Sequence, residues 1–378
     1  MKTNTKLLHD YPVVDAYTGA SSIPIYQTST FNQKKLYDEN VSYTYTRFGN
    51  PTVDSLEEAF KSLLNADYAI SFASGMAAIS NVLMLLNSGE HAILPLEVYG
   101  GTCQFVTKVL PNYNIQVSFV DMSNLQEIEK NIKDNTRMLY IETPSNPLLK
   151  ISDIKGIVDI AKKYNLLTAA DNTFMTPLYQ FPLELGVDIV IESVTKFING
   201  HSDVLAGLAV TNNKDLADKL RLFQKNFGAI LGVEDAWLIL RGMKTLGIRL
   251  DRSVQNAQVL AAYLSKHPKI KTVYYPGLQT HINHDLHMKQ ALNGGAVLSF
   301  EFYKKEDMLS FAEKISIPLL AVSLGGVESI VSHPATMSHA CLSPEERLEQ
   351  GVTDELLRLS CGIEDVEDLI ADFEQALN

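Results

Sequence analysis

The sequence predicts an α/β protein with a mostly parallel central sheet and a smaller C-terminal α/β domain. Three observations carry this expectation. At 378 residues the chain exceeds what one hydrophobic core usually holds. Short apolar runs alternate with amphipathic helical stretches through its middle, and that rhythm changes after about residue 245.

The first forty residues are polar and interrupted by Gly19 and Pro24, without a clear helical period, so residues 1–50 read as an arm over the surface or onto a partner. From Asp54, a candidate N-cap, DSLEEAFKSLLNA places apolar residues at helical spacing. YAISFASGMAAISNVLMLLN then reads as a strand, a Ser-Gly turn and a helix. HAILPL, QVSFVD, RMLYIET, NLLTAAD and DIVIESV are strand candidates, with helical SNLQEIEKNI and SDIKGIVDIAKKY between some of them. Apolar strands separated by helices imply a parallel sheet covered on both faces, here within residues 51–245. A long helix, GIRLDRSVQNAQVLAAYLSKH, opens residues 246–378, followed by strand-like KTVYYPG and GAVLSFEF and the closing helix IEDVEDLIADFEQAL.

Composition narrows the function. A net charge of −12 argues against a nucleic-acid or anionic-membrane surface. No apolar run reaches the ~18 residues that span a bilayer, and the N-terminus lacks a signal-peptide core. Cys103, Cys341 and Cys361 are odd in number and widely spaced, which suits a reducing cytoplasm rather than a disulfide framework or a zinc site. HINHDLH, with His281, His284 and His287, reads as a loop–helix junction, so no metal is expected.

The chemistry lies at strand ends, where ligands of parallel sheets gather. In FASGMAAI, Ser74, Gly75 and Met76 stand where a strand turns into a helix, and free N–H groups there favour an anion. Asp171 closes an apolar strand, a costly place for a carboxylate unless a cationic group meets it. Ser193, Thr195 and Lys196 come after the next strand, two hydroxyls beside an amine. Any one of these could be a helix cap or a solvated side chain. Together and in order they provide for a phosphate, a ring nitrogen and an aldehyde. Neither G-x-G-x-x-G nor G-x-x-x-x-G-K-[ST] occurs, which excludes the usual nucleotide-binding alternatives.

SYTYTRFGNPT, FASGMAAI, EVYGGT, YIETPSNPLL, AADNTF, SVTKFINGHSDV, SLGGVES and LLRLSCGIED resemble, in that order, the signatures of the Cys/Met-metabolism family of pyridoxal-phosphate (PLP) enzymes. That family contains cystathionine γ-synthases, cystathionine β- and γ-lyases, methionine γ-lyases and O-acylhomoserine sulfhydrylases. The likeness runs from about Thr18 to the C-terminus. It implies an aspartate-aminotransferase-like (fold type I) architecture with Lys196 as the Schiff-base lysine and Asp171 as partner of the pyridine nitrogen. By the same resemblance Tyr99 stacks on the cofactor and assists proton transfer, while Gly75, Met76, Ser193 and Thr195 cradle the phosphate. Tyr45 and Arg47 match a pair reaching the neighbouring subunit's cofactor, which implies an active unit of at least a dimer, and the resemblance as a whole implies a homotetramer built as a dimer of dimers. Arg358 matches the arginine that grips the substrate carboxylate, with Asn146 and Ser323 as helpers.

The activity so implied is a carbon–sulfur lyase acting on cystathionine or related thiol amino acids; the alternative is γ-replacement on an O-acylated homoserine. Glu328 in SLGGVES resembles an acidic residue of cystathionine synthases and lyases. Gly101 stands where methionine γ-lyases commonly carry cysteine, which counts against that activity. YGGTCQ departs from the YGGTxR of many cystathionine-handling relatives, putting the neutral Gln104 where an arginine would meet the distal end of the substrate. Glu192 stands where relatives often have His or Tyr.

Overall fold

The computed structural model describes residues 1–36, 42–340 and 343–378. Strands in the first half are β1 (Tyr68–Phe72), β2 (His91–Pro95), β3 (Gln116–Val120), β4 (Thr136–Glu142) and β5 (Leu167–Asp171). After them come β6 (Ile189–Glu192), β7 (Gly207–Thr211), β8 (Ile270–Tyr274) and β9 (Val297–Phe302). The last are β10 (Leu319–Leu320), β11 (Ile330–Ser332) and β12 (Leu356–Ser360). Two compact units result: Met1–Leu85 with Asp188–Gly247, and Leu86–Val187 with Ile248–Asn378.

In the first unit β7 lies between β1 and β6, antiparallel to both. Antiparallel neighbours need no crossover helix, so β6 turns back into β7 through the loop from Ser193 to Ala206. These antiparallel pairings are the exception within the mostly parallel sheet that the alternating segments predict. The helix Pro51–Leu64 also starts earlier than Asp54. Asn50 is extended at φ −148°, its side chain accepts the Thr52 N–H, and Pro51 suits the first helical position. Asn50, not Asp54, is the cap. The N-terminal segment is not irregular throughout: Thr3–His9 is helical and buries Leu7. Lys6 Nζ donates to the Ser62 carbonyl at 3.2 Å and Ser62 Oγ to Asp10 at 2.6 Å, so tertiary contacts stabilise a turn that local propensity alone leaves marginal.

In the second unit β5, β4, β2 and β3 run parallel in that order, the expected mostly parallel α/β arrangement. β2 is buried along its whole length and β4 at all positions but one, as a sheet covered on both faces requires. The helix Ile154–Tyr164, capped by the Asp153 side chain on Gly156 N, connects β4 to β5. A second sheet orders β10-β11-β12-β9-β8. Its core joins Leu260 and Leu264 of the helix Leu246–Leu264 to Phe300, Phe302, Phe311 and Phe373. Phe311 meets Phe300 and Phe373 edge-on, at 5.7 and 5.2 Å between centroids, a geometry that adds about 0.5–1.5 kcal/mol per pair beyond burial. No helix among the described residues is long and apolar enough to cross a membrane.

Phe311 is fully buried at the centre of this cluster. Phe311→Ala is expected to lower the unfolding free energy by about 3–5 kcal/mol, measured by urea denaturation.

Candidate active site

In the first unit, β1 runs through Ala73 into the helix Gly75–Leu83. Ser74, extended at φ −166°, caps that helix by accepting the Ala77 N–H at 3.0 Å. Gly75 lies against the turn just after β6: a Cβ at 75 would sit 2.7 Å from Ser193 Oγ. A Cβ at Gly207 would sit 2.2 Å from the Ser74 carbonyl oxygen. Two glycines thus let three chain segments converge where side chains would not fit, and Met76 lies in the same first turn. Thr195 Oγ1 is fixed by the backbone, donating to the Ala206 carbonyl at 3.1 Å and accepting its N–H at 2.9 Å. Lys196 occupies the turn itself, its N–H bonded to the Ser193 carbonyl and its carbonyl to Gly200 N. Tyr45 and Phe48 are 40% and 53% exposed. Arg47 lies over the Phe48 ring at 4.8 Å and donates to the Lys225 carbonyl.

In the second unit, Asp171 ends β5 and Glu142 ends β4, paired in register. Thr173 holds one Asp171 oxygen through its N–H at 3.0 Å and its hydroxyl at 2.6 Å, while the buried Tyr140 hydroxyl lies 3.5 Å from the other. Burial raises the Asp171 pKa above the ordinary carboxylate range, against the lowering effect of the Thr173 bonds. Tyr99, 43% exposed, caps the helix Gly100–Lys108, and its N–H donates to Glu142 at 2.9 Å. Burial, then Glu142 and Asp171, raise the Tyr99 phenol pKa, while Arg358 lowers it.

Arg358 sits on β12, inside the second sheet between β9 and β11, rather than on an edge strand. Its register partners are serines, Ser299 and Ser332, which leave room for it. The side chain is 4% exposed. Nη1 donates to Asn146 Oδ1 at 2.8 Å; Nη2 donates to the Ser323 carbonyl at 2.6 Å and to Ser332 Oγ at 3.2 Å. Nε has no partner, and no carboxylate pairs with this guanidinium among the described residues. Burial lowers its pKa to about 10, leaving it charged at neutral pH. Ser323 adopts a left-handed φ of 91°, which presents its carbonyl to the guanidinium. Gln104 and Glu328 are both exposed.

Sequence reasoning missed Ser332, Glu142 and Gly207. Glu142 carries the same signal as Asp171, a carboxylate ending an apolar strand. Ser332 and Gly207 have none, since strand register alone brings them into place. Of the histidines in HINHDLH, His284 Nδ1 bonds to the Pro276 carbonyl and His287 Nε2 to that of Asn293. Cys361 is buried and burial raises its thiol pKa, which makes it unreactive; Cys341 lies outside the described residues.

Solved structures and curated relatives match this chain end to end. Cystathionine gamma-lyase from Lactobacillus plantarum, solved with L-serine, superposes with a TM-score of 0.97 at 40% identity, covering 100% of this chain and 98% of that one. Cystathionine beta-lyase MetC of Bacillus subtilis (strain 168) is 51% identical over 373 residues, 99% of this chain and 95% of the relative. Cystathionine gamma-lyase of the same organism is 47% identical over 377 residues, 100% of this chain and 99% of the relative. The architecture is therefore that of a fold type I PLP-dependent enzyme. Residues 4–378 match the family described as Cys/Met metabolism PLP-dependent enzyme, and the chain belongs to it. Its cofactor is pyridoxal 5'-phosphate, and its reaction class is that of a carbon–sulfur lyase.

Two features suit that cofactor: the glycine-lined turn at Gly75 and Gly207, which a Cβ would fill, and a buried acid at Asp171 whose raised pKa marks the cost of its charge without a cation. Gly207→Ala is expected to reduce cofactor retention and the thermal midpoint together, read by visible absorbance per mole of protein and by differential scanning fluorimetry.

Proposed function

We propose that the protein cleaves the carbon–sulfur bond of cystathionine, or of a related thioether or thiol amino acid, to give a thiol, ammonia and a 2-oxo acid. The observation that carries this reading is Arg358, a buried guanidinium held by neutral acceptors with no carboxylate paired to it among the described residues. An amino-acid carboxylate satisfies it in a bidentate fork, with Asn146 and Ser323 holding the guanidinium plane. The names of the curated relatives, cystathionine beta- and gamma-lyases, support the choice of substrate.

Lys196 carries the cofactor covalently, Asp171 pairs its ring nitrogen and Tyr99 stacks on its ring. Gly75, Met76, Ser193 and Thr195 hold the phosphate. When bound, the cofactor supplies an electron sink for the charge left by loss of the Cα proton. Lys196 Nζ, freed by the substrate amine, takes that proton. In β-cleavage the thiolate then leaves Cβ. In γ-cleavage Lys196 first moves a second proton from Cβ. Tyr99 assists these transfers.

Specificity is set by Gln104 and Glu328, both solvent-facing. A neutral amide at 104 binds a distal carboxylate less strongly than an arginine would. The exposed Tyr45 and Phe48, with Arg47 held on the Phe48 ring, suit a surface completed by a neighbouring subunit. In this reading residues 1–50 form the arm, 51–245 the cofactor domain and 246–378 the small domain of a cytoplasmic homotetramer, a dimer of dimers.

Product analysis on cystathionine tests the reaction. Pyruvate with homocysteine establishes β-cleavage, and 2-oxobutyrate with cysteine γ-cleavage. Condensation of an O-acylhomoserine with cysteine, without release from cystathionine, would replace the lyase reading by γ-replacement. Arg358→Lys keeps the charge and loses the fork. It is expected to raise KM about ten- to a hundredfold, the equivalent of about 1.5–3 kcal/mol for a charge-assisted hydrogen bond, in steady-state kinetics.

A further inference from the structure

Glu142 is a buried carboxyl, 6% exposed, and takes no part in the proposed reaction. Three strand ends meet at it. From the chain beyond β2, the Tyr99 N–H donates to Oε2 at 2.9 Å, and from the loop beyond β4 the Asn146 N–H also points to its carboxyl. From β5, Asp171 is its register partner. Neighbouring strands lie about 4.8 Å apart and paired residues project to one face, so the two carboxyls stand side by side. Tyr140, two residues earlier on the same face, reaches Asp171 with its hydroxyl.

We propose that Glu142 is a positioning residue: one buried carboxyl clamps the backbone of Tyr99 and of Asn146, and as the direct neighbour of Asp171 it sets the environment in which that acid carries its charge. Tyr99 and Asn146 are the residues assigned to the cofactor ring and to Arg358, so the inference rests on the proposed function. A single side chain then fixes the cofactor-stacking ring, the guanidinium plane and the ring-nitrogen acid relative to each other.

Two carboxylates side by side in a buried place do not both ionise readily. The groups facing Glu142 are Asp171 on β5, Tyr99 and Glu97 beyond β2, and Tyr140 and Asn146 from β4 and its loop. Glu97 is itself paired with Lys150, and Arg358 acts on Tyr99. Burial first, then Asp171, raise the Glu142 pKa well above the ordinary range, and the two N–H bonds only partly oppose this. Burial likewise raises Asp171, so the two neighbouring acids do not readily carry two charges together. A carboxyl whose folded pKa is raised supports the fold below its unfolded pKa of about 4.3, and that support is lost as pH rises through the folded value.

Glu142→Gln and Glu142→Ala test this in the purified protein, with and without cofactor. Gln retains an acceptor for the Tyr99 N–H and mimics the protonated acid; Ala retains neither. In the cofactor-free protein, the thermal midpoint of the Gln variant is expected to match wild type near pH 5 and to exceed it increasingly towards pH 8.5. With cofactor, the Gln variant should keep the wild-type visible circular dichroism and kcat within about threefold. The Ala variant should change the dichroism and lose at least tenfold in kcat with a smaller change in KM. A Gln variant as impaired as Ala, or midpoints that run parallel to wild type across the pH range, overturns the inference. So does an Ala variant with unchanged dichroism and kcat. Lys196→Ala serves as the control for the underlying reading. If the visible band of the wild-type protein survives that change, the cofactor assignment fails; if it disappears while Glu142 variants behave as wild type, only the positioning role fails.

Discussion

Charge carried to the end of a buried strand is the constraint on which this molecule turns. β4 and β5 are apolar along most of their length and finish on Glu142 and Asp171, in register. An ionised carboxylate in such a place costs several kcal/mol unless hydrogen bonds or a cation meet it. Here the bonds come from segments just beyond the strand ends: Thr173 for Asp171, and the Tyr99 and Asn146 N–H groups for Glu142. Local backbone geometry after the strands is thus tied to the chemistry at their ends.

The second sheet meets an analogous demand with the opposite sign. Arg358 lies inside it, and register places small hydroxyl residues on either side of the guanidinium. The aromatic cluster of Phe300, Phe302, Phe311 and Phe373 lies in the core of this sheet. Leu357 and Leu359, on either side of Arg358 along β12, belong to that core, so β12 turns one face to the aromatic cluster and the other to the guanidinium.

Much of this was legible in the sequence. Asp171 announces itself as an acid ending NLLTAAD, and Lys196 as an amine after DIVIESV with hydroxyls beside it. The alternating apolar runs located the parallel strands β2 to β5, because burial on both faces leaves a clear hydrophobic signal. The features that escaped depended on tertiary contact or register. The helix Thr3–His9 is set by docking onto Ser62, and β7 runs antiparallel because its chain turns back without a crossover. Asn50 displaces Asp54 as cap because Pro51 already fixes the first helical residue. Ser332 meets Arg358 only through the pairing of β11 with β12, which no local pattern encodes.

The neutral setting of Arg358 also bears on what the enzyme refuses. Its acceptors, Asn146, Ser323 and Ser332, hold the guanidinium in place without cancelling its charge. A ligand lacking an anionic group at that end would leave the cation buried and uncompensated, and a simple amine would add a second positive charge beside it. With Arg358 in its proposed role, aminothiols that lack the carboxylate would be discriminated against through electrostatics.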